Sequence, residues 1–495
     1  MVLLALLLPC LLAARAGQAP PAGAVGEEEA AARLASLLLG PTPIEDDLRH
    51  LCDRIGGRPT GGAACDRSVD WFLKKFKEAG TDLAWTEPFR MPHRWEGDRT
   101  TAALVAPERL DLEAIAMPFS PATPKGGLEA PLVHLREGEP ADFEREAGRL
   151  RGAWLLFDSK VIVTFEDLFL DYLKLPPIVE RARAAGAAGI LLVGARDRGL
   201  LYRHIAAHGR PAPLPMAILG RDHGLRAARL AATEGARIRV EIAVRTGGPY
   251  TSRNVLAEIR GRETPGEVIL AGAHLDSWDL GTGALDNGAN CVLLLDVARQ
   301  MAGLGLRPRR TVRFALFTGE EQGMFGSLEY VRAHRQELDR HAAAVIFDIG
   351  TGRFTGFSMG GRADLRPLLE AALRPVAGYG AGAHTDDAFV GTDNFDFLLE
   401  GVPNLVANQD PANYMEHYHA ASDTFDKADR RELRINAAIA ATLLWGLADA
   451  PGRASRQDRA AIEGLLKETG LDDQMRTFDL LGAWESGERG LKAAP

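Results

Sequence analysis

Cysteine is scarce in this chain, with four residues in 495. None of Cys52, Cys65 and Cys291 has zinc-finger spacing. Basic residues are not in excess either: 58 Lys and Arg stand against 67 Asp and Glu, a net charge of −9. That balance gives no electrostatic footprint for nucleic acid or for an anionic membrane surface. Beyond the first residues no apolar run is long enough for a membrane span. No Asn-x-Ser/Thr triplet is present, so N-glycosylation is not expected. Internal repeats are absent. What remains is ordinary globular composition, 46% hydrophobic and 25% charged, with length for two or three domains.

Met1 to Ala14 is almost wholly apolar, and small residues and Pro follow through Ala24. This predicts a signal peptide over residues 1–24 and a secreted or periplasmic protein. Ala14-Arg15-Ala16 offers a cleavage site, whereas Pro9 fits a lipoprotein site at Cys10 poorly. In an exported protein Cys52 and Cys65, which flank the turn Gly56 to Gly62, could pair. Cys291 lies in an apolar helical stretch and reads as a buried free thiol.

The chemistry concentrates between Val268 and Glu321. The apolar run Val268 to Ala271 leads to His274-Leu275-Asp276. A Gly-rich turn then carries Asp286-Asn287. After a helical segment the run Val312 to Phe317 ends in Gly319-Glu320-Glu321. A third run, Ala342 to Ile346, is followed by Asp348, and His419 lies in a polar loop after Asn404 to Ala407. In open α/β sheets ligands collect outside the carboxyl ends of the strands. One early His, several carboxylates and one late His in those places suit zinc, which takes imidazole nitrogen and carboxylate oxygen.

His274-x-Asp276, Asp286, Glu320-Glu321, Asp348 and His419-x-x-x-Asp423-Thr424 resemble the motif set of the co-catalytic di-zinc aminopeptidase family. His274 to Asp279 is similar to its carboxypeptidase Q (plasma glutamate carboxypeptidase) branch, and Arg58-Pro59-Thr60-Gly61 matches a segment of that branch. The resemblance covers roughly residues 44 to 450. It implies zinc, two per chain: one held by His274, Asp286 and Asp348, the other by Asp286, Glu321 and His419. It gives Glu320 the general-base position and Asp276 the carboxylate that orients His274. Asn287 departs from the branch, which often has a second Asp there.

The same resemblance implies an α/β fold, a mixed central sheet flanked by helices, with an inserted protease-associated-type β/α domain. Residues 25–103 would be the first part of the peptidase domain, 104–250 the insert, 251–450 the di-zinc domain and 451–495 a C-terminal extension. The expected insert shows short strand-like runs, an Ala-rich helix over 178–185, and Gly186 to Val193. Its implied role is shaping access to the cleft or carrying subunit contacts, as in a homodimer. Met91 to Gly97 reads as a loop, and Ile462, Leu465 and Leu466 predict an amphipathic helix in the extension. Asp393, in the loop 391–395, has no role assigned.

The expected function is an exported exopeptidase of dipeptidase, aminopeptidase or carboxypeptidase type. It would hydrolyse short peptides through a water held between two zincs, with Glu320 as base. Two alternatives stand beside it: a single-zinc acyltransferase like the glutaminyl cyclases, and a receptor-like relative without catalysis.

Overall fold

The computed structural model describes residues 27–205, 209–232 and 235–492. The leader 1–24, with Cys10, lies outside the described residues. No helix among the described residues is long and apolar enough to cross a membrane.

A seven-stranded sheet carries the site. Its order is Leu83–Met91, Tyr250–Ile259, Arg310–Phe317, Thr264–His274, His341–Ile346, Asn404–Gln409 and Phe354–Ser358. The four strands from Arg310–Phe317 to Asn404–Gln409 are parallel. The edge pairings are antiparallel. The parallel strands are buried on both faces, which is why they read as unbroken apolar runs. Along Thr264–His274 the alternation is still visible. Ile269, Ala271 and Ala273 pack toward Leu293, Val297, Leu443 and Leu444 of the helices Ala289–Gly303 and Arg430–Asp449. Val268 and Leu270 pack toward Tyr330 and Phe397 on the opposite face. Because the four strands run the same way, their carboxyl ends gather along one rim.

A second, eight-stranded sheet is drawn from Arg94–Ala106 through Arg237–Gly247, with Leu128–His134, Trp154–Phe157, Gly189–Val193 and Met216–Leu219 as its parallel centre. The chain leaves the first sheet at Met91 and returns at Tyr250. Met91 to Gly97 is therefore not one loop. Only Pro92 and His93 break the strands, and Trp95 is buried in the second core with its Nε1 donating to the Ser120 carbonyl at 2.9 Å. The helix expected over 178–185 is also longer, Phe165–Ala184. Thr164 and Asp167 form a capping box at its start, a signal obscured by Pro176 and Pro177 inside the helix.

Cys52, Cys65 and Cys291 are all buried free thiols. Burial pushes Cys52 up to about 11 and Cys291 up to about 12. In the extension, the expected amphipathic helix is Arg459–Thr469, with Ile462, Leu465 and Leu466 buried.

Candidate metal centre

The rim of the parallel strands brings together all five residues expected to bind metal. His274, the last residue of its strand, places Nε2 2.9 Å from Asp348 Oδ1 and 3.1 Å from Asp286 Oδ1. His419 places Nε2 2.8 Å from Glu321 Oε2 and 3.4 Å from Asp286 Oδ2. Two groups with metal-binding geometry result, His274-Asp286-Asp348 and Asp286-Glu321-His419, each with ligand atoms within 4.8 Å of one another. Asp286 belongs to both. Glu320 belongs to neither, and its Oε2 is 4.0 Å from His274 Nε2.

Both imidazoles are set in the same way. His274 Nδ1 donates to the main-chain carbonyl of Asp276 at 3.0 Å, and His419 Nδ1 donates to that of Arg203 at 3.2 Å. Each Nδ1 thus keeps its proton, and each Nε2 faces the carboxylates. The expected contact from the Asp276 side chain to His274 is not a hydrogen bond, since Oδ1 lies 3.8 Å from Nδ1. That carboxylate instead ties two strand ends. Its Oδ2 accepts from Thr60 Oγ1 at 2.8 Å, its Oδ1 from the Glu320 N–H at 3.3 Å, and Thr60 Oγ1 in turn accepts from the Gly319 N–H at 2.8 Å.

Two buried charges shape the loop that carries Asp286. Asp423 accepts the N–H groups of Ala284, Leu285 and Asp286 at 3.0, 2.7 and 3.1 Å. Burial nevertheless pushes its carboxyl up to about 7. Arg58 donates to the carbonyls of Leu275, Thr282 and Gly283 at 2.8, 2.6 and 2.9 Å. Between them Gly283 takes φ +60, and a Cβ there would lie 2.4 Å from Ser277. Asn287 fits its place by chemistry: Nδ2 donates to the Phe347 carbonyl at 2.9 Å while Oδ1 accepts from Asn290 at 2.7 Å. An ionised Asp could not make the first of these bonds. Replacing Arg58 by Met strands those loop carbonyls in the interior. Urea unfolding of Arg58→Met should show a loss of roughly 3–5 kcal/mol, and a loss below about 1 kcal/mol would contradict a structural role for these Arg58 hydrogen bonds.

The electrostatics are those of an acid-rich site. Burial pushes Glu320 well above the usual carboxylate range; Asp348, Asp393 and Glu321 push the same way, against His274. Burial, with Asp286, does the same to Glu321. Burial alone would lower His274, but Asp348, Glu320 and Asp286 override it and hold the imidazole well above its ordinary value. His419, with less carboxylate support, is carried down to about 4 by burial. Asp393 is wholly buried beside this cluster, and burial pushes it up to about 8. Asp286 Oδ2 and Glu321 Oε1 are buried with no hydrogen-bond donor. Carboxylates packed this way need cations. The mixed imidazole and carboxylate donors suit zinc.

The roles of Arg203 and Asp423 escaped the sequence reading. Asp423 stood in the motif without a task, and Arg203 gave no signal at all. Arg203 reaches the site from the segment between the second-sheet strands Gly189–Val193 and Met216–Leu219, its guanidinium donating to both oxygens of Asp279 at 2.8 and 2.7 Å.

A metal centre of this kind on a mixed α/β sheet defines a metallopeptidase, and comparison with known proteins gives the same class. Residues 254–444 match Peptidase family M28. It is 26% identical over 420 residues to carboxypeptidase Q of Homo sapiens, covering 81% of this chain and 84% of the relative. It is similar to the crystal structure of a Peptidase M28 precursor from Shewanella amazonensis SB2B, with a TM-score of 0.78, 28% identity and coverage of 87% of this chain and 98% of that one. It shares its fold with BSAP, a zinc aminopeptidase from Bacillus subtilis, at a TM-score of 0.66 and 20% identity, covering 83% and 96% of the two chains.

Proposed function

We propose that this metallopeptidase is an exported, zinc-dependent exopeptidase that hydrolyses short peptides with two zincs per chain. The observation that carries the reading is the pair of ligand groups that share Asp286. His274, Asp286 and Asp348 would hold one ion, and Asp286, Glu321 and His419 the other. Zinc, when bound, supplies a Lewis acid for the scissile carbonyl and lowers the pKa of water. Glu320 is the base. Its carboxylate lines the cleft, stands outside both ligand groups, and can take a proton from the attacking water and return it to the leaving amine. Asp276 holds the Glu320 N–H, so it positions the base from behind.

The apolar leader supports export. The second sheet and its connections fit a protease-associated-type insert that shapes the cleft, because Phe169 and Tyr172 of the helix Phe165–Ala184 and Ile205 form part of the cleft wall. The names of the relatives divide between carboxypeptidase and aminopeptidase, so the terminus that is read is a matter for experiment. A panel of free, N-blocked and C-amidated dipeptides with zinc-loaded protein separates the types. Free dipeptides should be cleaved, and blocking one terminus should abolish turnover while blocking the other is tolerated, or both should abolish it for a dipeptidase. Turnover indifferent to both blocks would contradict an exopeptidase.

A further inference from the structure

The cleft that opens onto Glu320, Glu321 and His419 has walls from three parts of the chain. Phe169, Tyr172 and Ile205 come from the second sheet's domain, Met324 and Val390 from the peptidase domain, and Phe478 from the C-terminal extension. Away from the metal centre these walls are aromatic and aliphatic.

Phe478 is held in place by more than its own contacts. It follows the helix Leu471–Thr477, and its N–H donates to the Gln474 carbonyl at 3.0 Å. Leu471, Met475 and Leu480 around it are buried in one cluster with Met324, Val390 and Phe395. Arg489, also buried, grips both oxygens of Asp396 at 2.7 and 2.8 Å. On the other side Asp479 pairs with Arg210 of the second sheet's domain. Its neighbours Leu471 and Met475 are fully buried, whereas Phe478 is half-buried at the boundary of the cleft. The extension is thus fastened to the helix Asn394–Leu399 and brings one aromatic ring to the substrate side.

We propose that this cleft receives the side chain beside the scissile bond, that it selects bulky apolar side chains, and that Phe478 sets its depth. The proposal rests on the exopeptidase reading above. A charged side chain entering between Phe169, Met324, Val390 and Phe478 would leave water without gaining a partner there, which is costly. An aliphatic or aromatic one buries apolar surface instead. The extension lies beyond residues 254–444, so selectivity is set by a segment outside the part that matches the family.

The test uses the zinc-loaded, full-length protein and dipeptides in which each position in turn is Ala, Leu, Phe, Asp or Lys, with kcat and KM measured separately. At one of the two positions Leu and Phe should exceed Asp and Lys in kcat/KM by at least about tenfold. Phe478→Ala should raise the Phe-to-Leu ratio and Phe478→Trp should lower it, each by about tenfold and mainly through KM. Zinc content and melting temperature should stay at wild-type values in both. Ratios unmoved by both variants, or activity lost equally for every peptide together with stability, overturn the pocket alone. A wild-type enzyme that cleaves none of the series overturns the exopeptidase reading and the pocket with it.

Discussion

Glu320→Gln should lower kcat by about 10²–10⁴-fold while both metals stay bound. Glutamine has nearly the same shape but cannot accept the proton of the attacking water. The geometry separates Glu320 from its neighbour. Glu321 Oε2 lies 2.8 Å from His419 Nε2 within a ligand group, whereas Glu320 Oε2 stays 4.0 Å from His274 Nε2 and faces the cleft. A carboxylate committed to a cation is held ionised and cannot shuttle a proton. Glu321→Gln should therefore lower zinc occupancy instead. The two variants are compared by turnover and by elemental analysis of the same preparations. If Glu320→Gln keeps most of its activity, or is the variant that loses metal, the two carboxylates have been assigned the wrong way round.

Asp286→Ala should abolish activity and empty both sites. Its two oxygens divide between the two imidazoles, Oδ1 at 3.1 Å from His274 Nε2 and Oδ2 at 3.4 Å from His419 Nε2. No other residue belongs to both groups. His419→Ala removes a donor from only one group and should mainly empty that site. Zinc retention by Asp286→Ala at the level of His419→Ala would argue that Asp286 does not bridge.

Much of this centre was legible in the sequence because of how parallel sheets are built. His274, Glu320, Glu321 and Asp348 each follow a short apolar run, and runs buried on both faces read as unbroken hydrophobic stretches whose ends are easy to find. Donors at such ends must meet along one rim, so their order along the chain already implied their proximity. The supports behind them were hidden for the opposite reason. His419 and Arg203 are 216 positions apart, and Thr60 and Gly319 are 259 apart. Such contacts leave no local period to read. Asp276 shows the limit of motif reasoning: the expected residue is in place, but its main chain rather than its carboxylate holds His274. The start of the helix Phe165–Ala184 was lost to a different effect, since Pro176 and Pro177 are strong local signals against a helix that tertiary packing overrides. The stripe Ile462, Leu465 and Leu466 disclosed a helix in the extension, but nothing local said that Phe478 would reach the cleft.

The central claim is that two cations act together on a shared carboxylate. Elemental analysis of fully active wild-type protein, with activity followed as zinc is restored to metal-free protein, tests it most directly. Close to two zincs per chain are expected at full activity, with Asp286 required for both. Full activity with a single tightly held zinc would contradict it.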